Sequence, residues 1–171
     1  MTATAAWKLV GRLIGQLLRQ TGRAPQAPSP TWRRSGYSTA DYVGCPEMHY
    51  GRPALGGRSA GEMVWTWVAY EEDPSQGKDR PVLLVGELDG WLLGLPATSK
   101  DHDLDAEQER RAGRYWVEIG AGDWDSRGRV SEVRVDRIVR VDPTRVRRAA
   151  GRVDRAVFEK VAAGVRQHWD D

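Results

Sequence analysis

Arg80, between Asp79 and Pro81 at the head of an apolar run, and Thr98, in the segment Leu95-Pro96-Ala97-Thr98-Ser99, are the side chains best suited to act on a phosphate. A guanidinium is planar, stays protonated near neutrality and offers paired N–H donors to two phosphate oxygens. A threonine hydroxyl can donate one more hydrogen bond. Arg134 and Asp136 stand two apart, so on a strand both project from one face, a cation beside an acid. Lys78 and Lys100, two of only four lysines, flank Arg80 and Thr98 and can meet backbone phosphates without reading bases. Each residue has an ordinary alternative: a surface ion pair of Arg80 with Asp79 or Glu71, a turn-capping Thr98, a solvated strand face carrying Arg134 and Asp136. His102 is the histidine nearest this set, either a titrating participant or an exposed loop side chain.

Other chemistries find little support. The chain has no glycine-rich phosphate loop ending in Lys-Ser/Thr, no dinucleotide fingerprint after a strand and no serine nucleophile elbow. His49, His102 and His168 lie far apart and form no His-x-x-x-His pair, so a zinc hydrolase is not expected. No cofactor is called for. Cys45 is the single cysteine, which excludes an internal disulfide and makes the cytoplasm the expected location. No apolar run approaches the ~20 residues of a membrane-spanning helix.

The elements that must position these residues follow from periodicity. At 171 residues and 19.1 kDa the chain is one ordinary domain with appendages. Residues 1–60 carry eight Lys/Arg against two acids, Asp41 and Glu47, unlike the near-balanced remainder. Within them, apolar residues from Ala6 to Leu18 recur at helical spacing with Lys8, Arg12 and Arg19 opposite. This predicts an amphipathic basic helix over 1–19, as an arm on its own domain or a partner, or as a membrane-surface helix. Residues 20–60 hold five of the nine prolines and read as a linker.

A folded unit is expected over 61–171. Period-two alternation from Met63 to Tyr70 predicts a strand, and Pro81–Gly86, the turn pair Asp89-Gly90 and Trp91–Leu95 predict a hairpin ended by Pro96. Asp103 caps a short helix, Tyr115–Ile119 and Val133–Val139 are two more strands, and 120–129 is a loop between them. The basic run from Arg145 to Arg155 is a stripe able to track a phosphate backbone or the solvated entrance to a closing helix that runs from Val153 to Trp169. Trp67 and Trp91 can stack on bases or fill the core. Five short strands and that helix predict a mainly β fold, a small bent barrel.

The ordered segments Gly61-Glu-Met-Val-Trp65, Asp73-Pro74, Gly77-Lys-Asp-Arg80-Pro81, Leu95-Pro96-Ala-Thr98-Ser99 and Val133-Arg134-Val135-Asp136 resemble the PemK/MazF family of toxin endoribonucleases over roughly residues 61–142. The resemblance implies an SH3-like barrel, a homodimer, a cognate antitoxin partner that occupies the RNA groove, and metal-independent cleavage of single-stranded RNA. It implies catalytic roles for Arg80, Thr98 and Asp136, and RNA contacts for Lys78, Ser99, Lys100 and Arg134. Two departures stand out: Arg137 replaces the family's glutamine after the aspartate, and the Asp73–Arg80 loop is short. A non-catalytic module of the same fold, binding RNA or protein without cutting, is the alternative reading.

Overall fold

The computed structural model describes residues 41–99 and 106–170. The expected helix over 1–19, Asp103 and His102, Lys100, and most of the expected linker lie outside them. The described part is mainly β, with a C-terminal helix, as the sequence predicts.

A small ribbon, β1 (Pro53–Ala54) against β2 (Arg58–Ser59), precedes a seven-stranded antiparallel sheet. Its strands are β3 (Glu62–Ala69), β4 (Gly77–Leu88), β5 (Trp91–Thr98), β6 (Trp116–Gly120), β7 (Ser131–Arg134), β8 (Val139–Val141) and β9 (Arg148–Arg152). Helix α1 (Ala106–Arg111) lies between β5 and β6, and α2 (Arg155–Trp169) closes the chain. The spatial order is β6-β7-β5-β4-β3-β9, with β8 pairing β5. None of these helices is long and apolar enough to cross a membrane.

Alternation gives the sheet two apolar faces. Met63, Leu83, Val85, Leu93 and Leu95 pack with Phe158, Val161 and Val165 of α2, while Val64, Val68, Val82, Leu84 and Leu92 pack with Val139 and Val141. The β4–β5 turn depends on left-handed backbone at both central residues, Asp89 (φ 50) and Gly90 (φ 85), which suits the right-handed twist of a hairpin. Asp154 begins α2 by accepting the Val157 N–H at 2.8 Å, satisfying a donor that has no partner inside the helix.

Four sequence expectations change. Pro96 does not end the hairpin: β5 continues to Thr98. β8 pairs Leu92 to Gly94 and β7 pairs Ala97 and Thr98, so Pro96 falls where neither does and its missing N–H breaks no ladder there. The single strand expected over Val133–Val139 is two, because the chain bends between β7 and β8. The stretch from Arg148 is no helix entrance but edge strand β9, set opposite β3. Residues 41–60 are not a loose linker either. Met48 and Ala60 are buried in the core, Tyr50 stacks edge-on against Phe158 at 5.5 Å and its hydroxyl donates to the Val153 carbonyl, and Tyr42 bridges Ile138. A few large anchors in proline-rich sequence suffice to dock this segment.

Candidate active site

Arg80 stands opposite Thr66 on β3, and the hairpin register pairs Val82 with Pro96. Arg80 is two residues before Val82 and Thr98 two after Pro96, so alternation sends both side chains to one face. Thr98 also stands opposite Glu132 on β7, which puts Arg134 on that face as well. Lys78, Arg80, Thr98 and Ser99 line one open groove of about 270 Å³, together with Trp65, Trp124, Asp125 and Arg129. The β4–β5 ladder ends at Val82 and Pro96, so Arg80 and Thr98 are not themselves a ladder pair, but both reach the same groove.

Arg80 is held in an unusual electrostatic setting. Burial lowers its pKa, and the neighbouring charges of Arg137 and Arg134 lower it further, against opposing contributions from Tyr70 and Glu71. Its Nε is buried without a hydrogen-bond partner, and among the described residues it forms no ion pair. The ordinary alternatives foreseen for it are taken elsewhere: Asp79 pairs with Arg147, and Glu71 with Arg134. An under-neutralised guanidinium at a groove is an anion-binding feature.

Arg134 and Asp136 do come together, but away from the groove lining. Arg134 is bonded to Asp136 through Nε at 3.3 Å and through Nη2, and to Glu71 through Nη1 at 2.5 Å. Burial works against its charge, yet these two carboxylates outweigh it and raise the Arg134 pKa. Asp136 also accepts the Tyr115 N–H at 2.8 Å. Both of its oxygens are thus engaged in holding Arg134 and the start of β6. The geometry suits a positioning carboxylate better than a proton acceptor facing substrate. Next to it Arg137 donates through Nε to Asp41 at 2.7 Å and through Nη2 to the Ala69 carbonyl at 2.8 Å.

The loop between β6 and β7 supplies groove residues that the sequence reading passed over. Trp124 packs into the core against Gly122, where a Cβ would come within 2.2 Å of its ring. Asp125 accepts from Arg129 Nε at 2.7 Å and from the Arg127 N–H at 3.0 Å, and Ser99 also hydrogen-bonds to it. Arg129 is first among the causes that lower the Asp125 pKa. A lone tryptophan in a Gly/Asp loop, Gly122-Asp-Trp124, was the available signal. Arg147, just before β9, pairs with Asp79, and Arg148 at the start of β9 lies over the Trp65 ring at 5.2 Å, so part of the basic run touches groove residues. Trp91 is largely core, as the ordinary reading of a strand tryptophan expects.

None of the curated proteins matches the chain. Among solved structures it is similar to MazF (Form-I) from Deinococcus radiodurans, at 20% identity over 64% of this chain and 94% of that one, with a TM-score of 0.45. It is similar also to MazE-MazF (Form-III) from the same organism, at 17% identity over 64% and 94%, with a TM-score of 0.44. The family described as "PemK-like, MazF-like toxin of type II toxin-antitoxin system" matches residues 59–169, a span that takes in Arg80, Thr98, Asp136 and helix α2. The chain belongs to this PemK-like, MazF-like toxin family.

Proposed function

We propose that this toxin is an endoribonuclease that cuts single-stranded RNA through attack of the 2′-hydroxyl, without a metal ion. The observation that carries the reading is the placement of Arg80 and Thr98 on one face at one groove. In-line attack forms a bond from the 2′-oxygen to phosphorus and breaks the bond to the 5′-oxygen, leaving a 2′,3′-cyclic phosphate and a 5′-hydroxyl. Negative charge builds on the non-bridging oxygens as the phosphorane forms. Arg80, which has no competing ion pair among the described residues, opposes that charge, and Thr98 donates to one of the same oxygens. Lys78, exposed on β4, meets the flanking backbone, and Ser99 and Arg129 line its path. Arg134 keeps Glu71 and Asp136 in place and acts on the groove through charge. Lys100 remains part of this reading from sequence alone. The toxin works as a homodimer in the cytoplasm, and a cognate antitoxin protein silences it by occupying the groove.

Purified protein should cleave single-stranded RNA in excess EDTA and leave a 2′,3′-cyclic phosphate, while the matching 2′-deoxy strand stays intact. A requirement for added magnesium, or equal cutting of DNA, refutes this mechanism. Binding without any cleavage favours the non-catalytic module.

A further inference from the structure

Among the described residues, three buried side-chain nitrogens meet no protein acceptor: Arg80 Nε, Trp65 Nε1 and Trp124 Nε1. All three residues line the groove that holds Thr98 and Ser99. A buried donor left unmet is unfavourable and folded proteins keep few of them, so their gathering at one groove points to acceptors that arrive with a ligand. Phosphate accounts for Arg80. It does not account for the indoles, which pack with the core that faces α2, Trp124 being only 4% exposed.

The carboxylates of the groove, by contrast, are engaged. Asp79 pairs with Arg147, and Asp125 accepts from Arg129 Nε at 2.7 Å and from the Arg127 N–H at 3.0 Å. The groove serines turn their hydroxyls to donate or accept, so they do not select, whereas an indole N–H only donates. The indole also carries no charge, and Pro81 and Ala97 add apolar surface to the groove. A flat ring bearing a carbonyl suits this setting better than a phosphate, whose charge is costly to desolvate without a cation. Pro81 and Ala97 are the chain neighbours of Arg80 and Thr98, so a ring held there belongs to a nucleotide flanking the phosphate on which those two act.

We propose that Trp65 and Trp124 form a nucleobase site that selects a keto base, uracil or guanine, over an amino base, cytosine or adenine. The indole N–H donates to the exocyclic carbonyl of a keto base, while the amine that replaces it in cytosine or adenine turns a donor toward a donor. Both nitrogens lie beneath the groove surface in the free protein, so entry of the base turns an indole toward it. This inference rests on the RNA-cutting reading above and adds to it the nucleotide that the toxin prefers.

The test compares the binding of short 2′-O-methyl oligouridylate and oligocytidylate, which cannot be cleaved, to wild type, Trp65→Phe and Trp124→Phe. The two oligomers share backbone and ring size and differ at the keto and amino edge. Wild type should hold oligouridylate tighter by about three- to tenfold, the worth of one hydrogen bond. Phenylalanine keeps an aromatic ring and removes the N–H, so at least one variant should bring the ratio of the two Kd values close to one. A tryptophan that is merely structural lowers both affinities together and leaves the ratio intact. Equal binding of the two oligomers by wild type, or a ratio that survives in both variants, overturns the proposal. Should the variants fail to fold, mapping the cuts that wild type makes in a mixed-sequence RNA decides: cleavage should fall beside uridine and guanosine, and cuts spread evenly over all four bases refute the site. A wild-type protein that neither binds nor cuts RNA instead sinks the function itself, so the two failures are told apart.

Discussion

Glu71, on the loop after β3, and Arg134, on β7, meet across 63 positions of chain in a two-pronged ion pair, Nη1 to Oε2 at 2.5 Å and Nη2 to Oε1 at 3.3 Å. Burial alone raises the Glu71 carboxyl pKa, but the hydrogen bonds and charge of Arg134 outweigh it and leave the pKa lowered. A carboxylate with a lower pKa folded than unfolded adds stability above its unfolded value of about 4.3, and that contribution disappears as pH falls through the folded value. Glu71→Gln should therefore cost stability at neutral pH and progressively less in acid. With the Glu71 side chain 39% exposed, solvent screens the pair, and about 1 kcal/mol is expected. Thermal melting of both proteins from neutral pH into acid checks this. A gap that persists undiminished in acid contradicts the assignment.

Arg80→Ala and Thr98→Ala should each slow RNA cleavage by about 10²–10³, the usual cost of one lost transition-state donor. Both side chains lie at the groove, so circular dichroism should remain native. Wild-type rates in either folded variant remove that residue from the site.

Gly122→Ala tests whether the loop between β6 and β7 is held by Trp124. The new Cβ lands 2.2 Å from the buried ring, so ring or loop must move. A loss of about 1–3 kcal/mol is expected from urea denaturation. Cleavage should fall as well, since Asp125 and Arg129 ride on the same loop. An unchanged denaturation midpoint shows that the ring has room to shift.

Trimming the N-terminus separates segments that look alike in composition. A chain starting at Asp41 keeps Met48, Tyr50 and Tyr42, and should fold. One starting at Ser59 loses the buried Met48 and the Tyr50–Phe158 contact, and each such core loss costs about 2–5 kcal/mol. Size-exclusion chromatography and melting curves should show the shorter chain aggregated or without a cooperative transition. If it behaves like the longer one, 41–58 is dispensable.

Much of the sheet was legible because local chemistry and final structure agree. The alternation in β3, the Asp89-Gly90 turn and the apolar stripe of α2 each specify their element without distant help. The nearness of Arg80 and Thr98 was legible from the hairpin, but their shared face was not: it depends on the register shift between Leu84 and Gly86, without which Arg80 would stand opposite Ser99. What failed to show was structure made by pairing at a distance. β9 is Arg-Ala-Ala-Gly-Arg, too small and polar to announce a strand, and exists because β3 offers it an edge. The docking of 41–60 rests on a few widely spaced side chains among prolines. Arg134 and Arg137 find partners 63 and 96 positions away, and no local pattern reports such distances.

β3 pairs with β9, Trp65 opposite Arg148 and Glu62 opposite Arg152, so the order of synthesis matters. The β3–β4–β5 meander can form as soon as it emerges from the ribosome, but one edge of β3 then stays bare until almost the whole chain has been made. Arg147 and Arg148 reach Asp79 and Trp65 only when that edge is filled. A nascent chain thus carries Arg80 and Thr98 long before it carries a finished groove. Until then its open edge is a hazard of mispairing with neighbouring chains on the same message.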